Sequence, residues 1–407
     1  MLAIARALAE QRELKLLLSA LTGSERVLEP LRKIRIAGLQ TGIAAARRLT
    51  VEVAGAELRR AATVPEIARG VAQQMGLWKL STVLMYAAKA SFDRAVASQL
   101  RGLDYAGVVG MFGSSSQMFA EARMAGRPTI LNFVNSHPSV HNELLTEVAG
   151  VPKRSHECVP RRVAERVDQE LERSSLILVP SKFVAQQLIR IGIACSRIAV
   201  IPYGVDRNLF RLEPGRPRST QVRCLYVGQI SYRKGVHVLM SAARRLIGAP
   251  MQFQLVGPIV SRPILQDMPG NVHWQRTVPH AELRRLLADS DILAVPSIED
   301  AYPLVVLEAL SCGTPVLIST NCGNVDLIIN RRSGMVVSPG SVEDVVQGLE
   351  ELVFDGDLRN RIREGAAAVR NQLPTWEDYG ARVVNALRGL PERDDQFVTT
   401  FGNPAHS

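Results

Sequence analysis

The chain has 407 residues, 46% of them hydrophobic and 22% charged, and 49 lysines and arginines against 39 acids give a net charge of +10. This length exceeds one ordinary core, so two domains of about 150–200 residues each are expected, and the composition excludes an intrinsically disordered chain. The basic balance favours anionic partners, here phosphorylated ligands or an anionic membrane surface. With 5% aromatics and no zinc-finger or RNA-binding signature, nucleic acid is not expected.

The N-terminus, MLAIARALAEQRELK, carries charges too early for a secretory signal, and no apolar run approaches the roughly 18–20 residues of a membrane span. A cytoplasmic protein, peripheral on the inner membrane face, is the expectation. Leu31–Leu49 supports the peripheral part, having five cations, no acid and apolar residues between them. Cys158, Cys195, Cys224, Cys312 and Cys322 show no C-x2-C spacing and read as reduced thiols, mostly core fillers.

In chain order, Leu2–Ala9 reads as a helix and Leu14–Ala20 as a strand. Tyr105–Gly113 is a strand, Ser116–Met124 a helix, Pro128–Asn135 and Leu176–Ser181 strands, Lys182–Ile191 a helix capped by Ser181, and Ile198–Gly204 a strand. Polar Asp206–Pro217, with two prolines, is the expected interdomain linker. The second half alternates more clearly. Strands at Gln221–Gly228, Met251–Gly257, Val272–Gln275, Asp291–Ser297, Pro315–Thr320 and Met335–Ser338 are separated by helices at Val236–Leu246, Ala281–Asp289, Pro303–Cys312 and Val325–Asn330, with Val342–Leu352 following. Near-continuous Val, Ile and Leu in these strands imply a parallel sheet covered on both faces, whose ligands bind beyond the carboxyl ends. Pro374–Leu387 is a helix with Trp376, Tyr379, Val383, Val384 and Leu387 on one side, expected to cross back onto the first domain. The domain boundaries are therefore 1–206, a linker at 207–217, 218–373, a crossing helix at 374–390, and a tail at 391–407 expected to be mobile.

Three segments converge on one cleft. Gly228–Gly235 (GQISYRKG) is a strand-to-helix turn with two glycines and two adjacent cations, Arg233 and Lys234, suited to a phosphate or else simply a solvated basic turn. Glu299 and Asp300 precede a helix whose first position suits Pro303, where they also serve as helix-terminus charges. Glu308 lies within the apolar run VVLEALSCG, where a carboxylate needs water, a partner or a ligand such as ribose hydroxyls. The third segment, Ser319–Asn324, is another glycine turn.

Together these segments resemble the retaining glycosyltransferases of family 4, whose GT-B fold faces two Rossmann-like doubly wound domains across a cleft. The resemblance runs from about Leu171 to Leu352. The family's acid-x7-acid motif falls on Asp300 and Glu308, with Glu299 one residue early and aspartate where glutamate is usual. It implies that Asp300 contacts the donor sugar and Glu308 the ribose, with backbone amides around Tyr302, Pro303 and Leu304 reaching sugar and phosphates. Gly228, Gln229, Arg233 and Lys234 align with the diphosphate segment, Gln229 replacing a common arginine. Ile201–Asp206 followed by Phe210 matches the interdomain segment, and His137 the histidine facing the sugar; His141, Asn142 and Glu143 are weaker candidates for acceptor contact.

The resemblance thus implies retaining transfer from a UDP- or GDP-sugar to a glycan or lipid-linked acceptor, with Asp300, Lys234 and His137 as catalytic residues. Neither metal nor cofactor is expected. A non-catalytic nucleotide-sugar-binding scaffold is the alternative, and an epimerase of similar shape is disfavoured by the Asp300/Glu308 spacing. The family's first strand and Gly-rich turn have no counterpart here, which reads as a start downstream of the family's usual one.

Overall fold

The computed structural model describes residues 78–153, 155–212 and 221–389, together with the strands β1 (Leu14–Ser19), β2 (Glu57–Arg60) and β13 (Phe397–Phe401). The expected helix Leu2–Ala9 and the basic segment Leu31–Leu49 lie outside these residues. Among the described residues, no helix is long and apolar enough to cross a membrane.

The C-terminal domain is built from β7 (Val222–Val227), β8 (Met251–Val256), β9 (Val272–Gln275), β10 (Ile292–Val295), β11 (Val316–Ser319) and β12 (Gly334–Val337). They form one parallel sheet in the order β12-β11-β10-β7-β8-β9. The strand order reverses between β7 and β10, so the crevice at their carboxyl ends is the expected ligand position. Phe253, Leu255, Ile292, Leu293, Val316 and Leu317 are fully buried, because helices cover both faces. In contact with this sheet's core stand α6 (Val236–Arg245), α8 (Leu304–Ser311), α9 (Val342–Phe354) and α10 (Gly356–Val369).

The N-terminal sheet is also parallel, in the order β2-β1-β13-β3-β4-β5-β6, with β3 (Gly107–Met111), β4 (Thr129–Asn132), β5 (Leu176–Val179) and β6 (Ile198–Val200). Around it run α1 (Trp78–Leu100), α2 (Ser116–Met124), α3 (Pro138–Glu147), α4 (Arg161–Arg173) and α5 (Lys182–Arg190). Within the tail expected to be mobile, Phe397–Phe401 is described as a strand, and the rest lies outside the described residues. Phe397–Phe401 pairs with β1 on one side and β3 on the other, in the central slot that the family resemblance gives to a first strand. Without β13 the facing edges of β1 and β3 would be left unpaired, and the β-branched run Val398-Thr399-Thr400 suits the slot.

Between the sheets, α11 (Trp376–Arg388) follows a capping box made by Thr375 and Asp378. Its Tyr379, Val383, Val384 and Leu387 are buried, and Trp376 is half-buried. Tyr203, at the end of the first domain, packs edge-on against Tyr302 and Tyr379 and tilted against Trp376, with ring centroids 5.5–6.1 Å apart. One expected helix, Val325–Asn330, is a single 3-10 turn over Val325–Leu327. Cys158, Cys224, Cys312 and Cys322 are buried as the filler reading expected, while Cys195 is exposed.

Candidate active site

The cleft residues sit on loops that leave the carboxyl ends of β7, β10 and β11. After β7 the chain turns through Gly228, whose N–H donates to Val256, and reaches α6 at Gly235. Gly235 adopts φ 71°, and a Cβ there would overlap the Pro296 carbonyl. Only glycine fits this close approach between two ligand loops. The Tyr226 hydroxyl donates to the Gln229 carbonyl at 2.6 Å, fixing the same turn.

The two cations predicted from the sequence meet the two carboxylates. Lys234 Nζ lies 2.5 Å from Asp300 Oδ2. Arg233 Nη1 donates to the Glu299 carbonyl at 3.3 Å, with the Glu299 carboxylate 3.9 Å away. Burial alone would lower the Arg233 pKa, but Glu299, Asp300 and Glu157 outweigh it and hold the guanidinium charged. Asp300 is held by a backbone bridge, its N–H donating to Asn321 and its carbonyl accepting from Gly323. The glycine turn Ser319–Asn324 therefore supports the acid loop.

Pro303 is the N-cap of α8, one residue before the first helical position expected for it. Its ψ of 109° is extended, and the helix begins at Leu304 without a side-chain cap. An uncapped helix N-terminus thus stands beside the Lys234–Asp300 pair, its amides pointing where negative charge is favoured. The Tyr302 ring is buried in the aromatic cluster around Tyr203, so this residue offers its backbone to the cleft. Glu308, one turn along α8, makes no side-chain hydrogen bond or ion pair among the described residues, and burial raises its pKa to about 7.

Glu299, one residue before the motif acid, is the hub of contact with the N-terminal domain. It is 2% exposed; Ser136 Oγ donates to its Oε1 at 2.6 Å, and His141 Nδ1 lies 2.8 Å from its Oε2. Burial alone would raise its pKa, yet the His141 hydrogen bond and charge, Arg233 and Ser136 together hold it at about 2. His141 Nε2 faces the Glu157 carbonyl at 2.9 Å, so both ring nitrogens meet acceptor oxygens. The Glu157 carboxylate continues across the cleft. It accepts from the backbone N–H of Tyr232 (3.1 Å) and Arg233 (2.9 Å) and from the Ser261 hydroxyl.

His137 is placed differently. It caps α3, its Nδ1 lies 2.7 Å from Ser139 Oγ and its Nε2 3.0 Å from Asp168 Oδ1. No hydrogen bond or ion pair among the described residues joins it to Lys234 or Asp300. Asn142 ties down Val159 through both its side-chain atoms, and with Glu143 it lines a separate cavity of about 350 Å³. Sequence reasoning missed Glu157 and Ser136 and ranked His141 low; a histidine one turn into the helix after His137 was the available signal. Among the described residues, no group of three or more His, Cys, Asp or Glu side chains could hold a metal ion.

Two parallel-sheet domains with their ligand loops facing one cleft define the GT-B class of fold. Solved structures agree: sucrose-phosphate synthase from Thermosynechococcus elongatus (TM-score 0.61, 18% identity, 75% of this chain and 79% of that one) and Anabaena HepE in complex with UDP (0.62, 17%, 93% and 100%). Residues 212–369 match the family described as Glycosyl transferases group 1, so this domain is similar to that family. Similar sequences include sulfoquinovosyl transferase of Arabidopsis thaliana, 30% identical over 229 residues, covering 52% of this chain and 44% of that one. D-inositol 3-phosphate glycosyltransferase of a Nocardioides species is 27% identical over 327 residues, covering 72% and 69%. The match thus spans under half the length of the first of these relatives.

Proposed function

We propose that this protein transfers a hexosyl group from a UDP- or GDP-sugar to a glycan or lipid-linked acceptor, with retention and without a metal. The observation that carries this reading is the Lys234–Asp300 pair at the uncapped start of α8, with the unpartnered Glu308 one turn further on the same helix. Solved relatives of the fold include HepE complexes with UDP and with UDP-glucose, which supports a nucleotide-sugar donor.

Each side chain then has a distinct task. Glu308 accepts hydrogen bonds from the ribose hydroxyls. Lys234 exchanges Asp300 for the donor's diphosphate, and its charge, with that of Arg233 and the α8 amides, stabilises the departing diphosphate. Asp300, released from Lys234, accepts from hydroxyls of the donor sugar. Attack comes from the face that the diphosphate leaves, through an oxocarbenium-like state, with His137 on the acceptor side and oriented by Asp168 and Ser139. Action at the cytoplasmic membrane face fits the basic composition.

Isothermal titration with UDP and GDP, followed by a transfer assay with the matching sugar nucleotides in EDTA, tests the proposal. Nucleotide binding with transfer and an inverted or metal-dependent product overturns retention or metal independence respectively. Binding without transfer to any of a glycan and lipid-phosphate acceptor panel favours the scaffold.

A further inference from the structure

A cavity of about 220 Å³ opens in the N-terminal domain between α1, the start of α2 and the first half of α4. Three arginines line it, Arg94 from α1 and Arg162 and Arg166 from α4. Arg162 and Arg166 are one helical turn apart, a like-charge spacing that is unfavourable on its own, and Arg94 adds a third cation from across the cavity. Among the described residues, none of the three guanidiniums makes a hydrogen bond or ion pair.

The carboxylates on the same wall are already engaged. Asp93 accepts from the backbone N–H groups of Gln117 (2.8 Å) and Met118 (2.9 Å), and Glu165 pairs with Arg161 at 2.8 Å. The other polar lining groups, Ser116, Gln117 and Gln169, are neutral. The cavity therefore sets three guanidiniums against two carboxylates that are already engaged; Asp93 feels the charge of Arg166 but makes no ion-pair contact with it. Planar guanidiniums approaching from two helices match the several oxygens of a phosphoryl group better than a single carboxylate.

Its position gives this charge a use. α2 starts at the carboxyl end of β3, the ligand-binding end of a parallel sheet. On another part of α4, Asp168 holds His137 Nε2. One helix thus carries both the arginine pair and the group that orients the acceptor-side histidine. We propose that Arg94, Arg162 and Arg166 form a subsite for a phosphoryl group carried by the acceptor, so that the acceptor is a phosphorylated sugar or a phosphate-bearing lipid. The word acceptor rests on the transfer reading above; the phosphoryl site does not.

Titration of inorganic phosphate into the full chain, with UDP present, tests the site directly. The wild-type chain should bind phosphate, and Arg94→Ala/Arg166→Ala should weaken that binding by about tenfold or more, as expected for loss of charge-assisted hydrogen bonds. Circular dichroism checks that the double variant is folded, and Arg166→Lys alone should retain part of the affinity. Phosphate binding that survives the double variant but disappears in Lys234→Ala would place the ion in the donor cleft and overturn the inference. Sedimentation with phosphatidylcholine vesicles, with and without phosphatidic acid, distinguishes the sources. Recruitment lost in the double variant assigns a lipid phosphate, and phosphate binding without recruitment assigns a soluble one. Absence of both from the wild-type chain overturns the inference, whereas UDP binding and sugar transfer in the same preparation report on the proposed function separately.

Discussion

The two domains share one architecture but are assembled from the chain in different ways. The C-terminal sheet takes its six strands from one uninterrupted stretch, Val222–Val337. The N-terminal sheet places Leu14–Ser19 and Glu57–Arg60 beside strands from Gly107–Val200, and joins them through Phe397–Phe401 from the far end of the chain. The first arrangement needs mostly sequence-local pairing; the second must also close loops of hundreds of residues to seat Phe397–Phe401 between β1 and β3, which costs more chain entropy. The C-terminal half, the donor half of the proposed function, is thus the self-contained unit, and the N-terminal half, its acceptor half, depends on it. Glu299 shows the dependence in one residue, since it stands on the donor half and holds Ser136 and His141 of the other.

The largest expected effect tests that hub. Glu299→Ala leaves Arg233 and His141 buried without their shared carboxylate, a loss on the order of 3–5 kcal/mol for one broken member of a buried charged network. Urea unfolding of the variant should show the acceptor half melting first, with the donor half's transition nearly in place. A single transition at the wild-type midpoint would mean that the halves do not communicate through Glu299. The pH dependence has a defined sign. Glu299 holds at about 2 what is ordinarily 4.5, so the folded state binds fewer protons, and stability present above about 4.5 is lost as pH falls toward 2. Glu299→Gln should remove that dependence.

Next comes chemistry confined to the donor half. Lys234→Ala should lower turnover by roughly 10²–10³-fold, the scale of losing one preorganised stabilising group, and should weaken UDP as well, since free UDP presents the diphosphate charge that Lys234 meets. A variant with unchanged turnover removes Lys234 from the site. Smaller again is the effect at Glu308, whose carboxyl burial raises from 4.5 to about 7. Ionised Glu308 is the better acceptor for ribose hydroxyls, so UDP affinity should rise by up to about tenfold as pH passes through 7. Folding stability moves the other way: the folded state keeps a proton that the unfolded chain releases, so stability declines from about pH 4.5 to 7. Glu308→Gln should flatten both curves; a pH-dependent affinity that persists in it belongs to another group.

The same contrast explains what was legible. Strands such as Val316–Ser319 are buried on both faces and appear as apolar runs, and the acid spacing from Asp300 to Glu308 is local, running from the loop before α8 into that helix. The acceptor half was read less well. α1 (Trp78–Leu100) and the arginine-rich α4 went unassigned, and the FVTTF strand sits in a polar tail where only β-branching hinted at it. Cross-cleft contacts are harder still, since Ser136 and Glu299 are 163 positions apart and no local pattern relates them. Tyr302 shows the converse: its position on the acid loop suggested a donor contact, but a large aromatic ring found its burial against Tyr203.

The smallest effect probes the return of the chain to the acceptor half. Thr375 caps α11: its hydroxyl oxygen accepts from the Asp378 N–H at 3.1 Å, and Asp378 Oδ2 accepts from the Thr375 N–H at 2.8 Å. The capped turn carries Trp376 and Tyr379 against Tyr203, and Val205 N–H donates to the Pro374 carbonyl at 2.9 Å. Gly204 lies so close that a Cβ would overlap the Thr375 backbone, so the end of the first domain and the start of α11 are in direct contact. Thr375→Ala removes the cap without touching these rings and should cost about 1 kcal/mol, with Thr375→Ser restoring most of it. If α11 ties the halves together, that loss appears in the acceptor half's urea transition and in the fluorescence of Trp376, read against Trp376→Phe. A loss confined to the donor half's transition would show instead that α11 is only the last helix of that domain, and that the acceptor half keeps its strand Phe397–Phe401 without help from the helix preceding it.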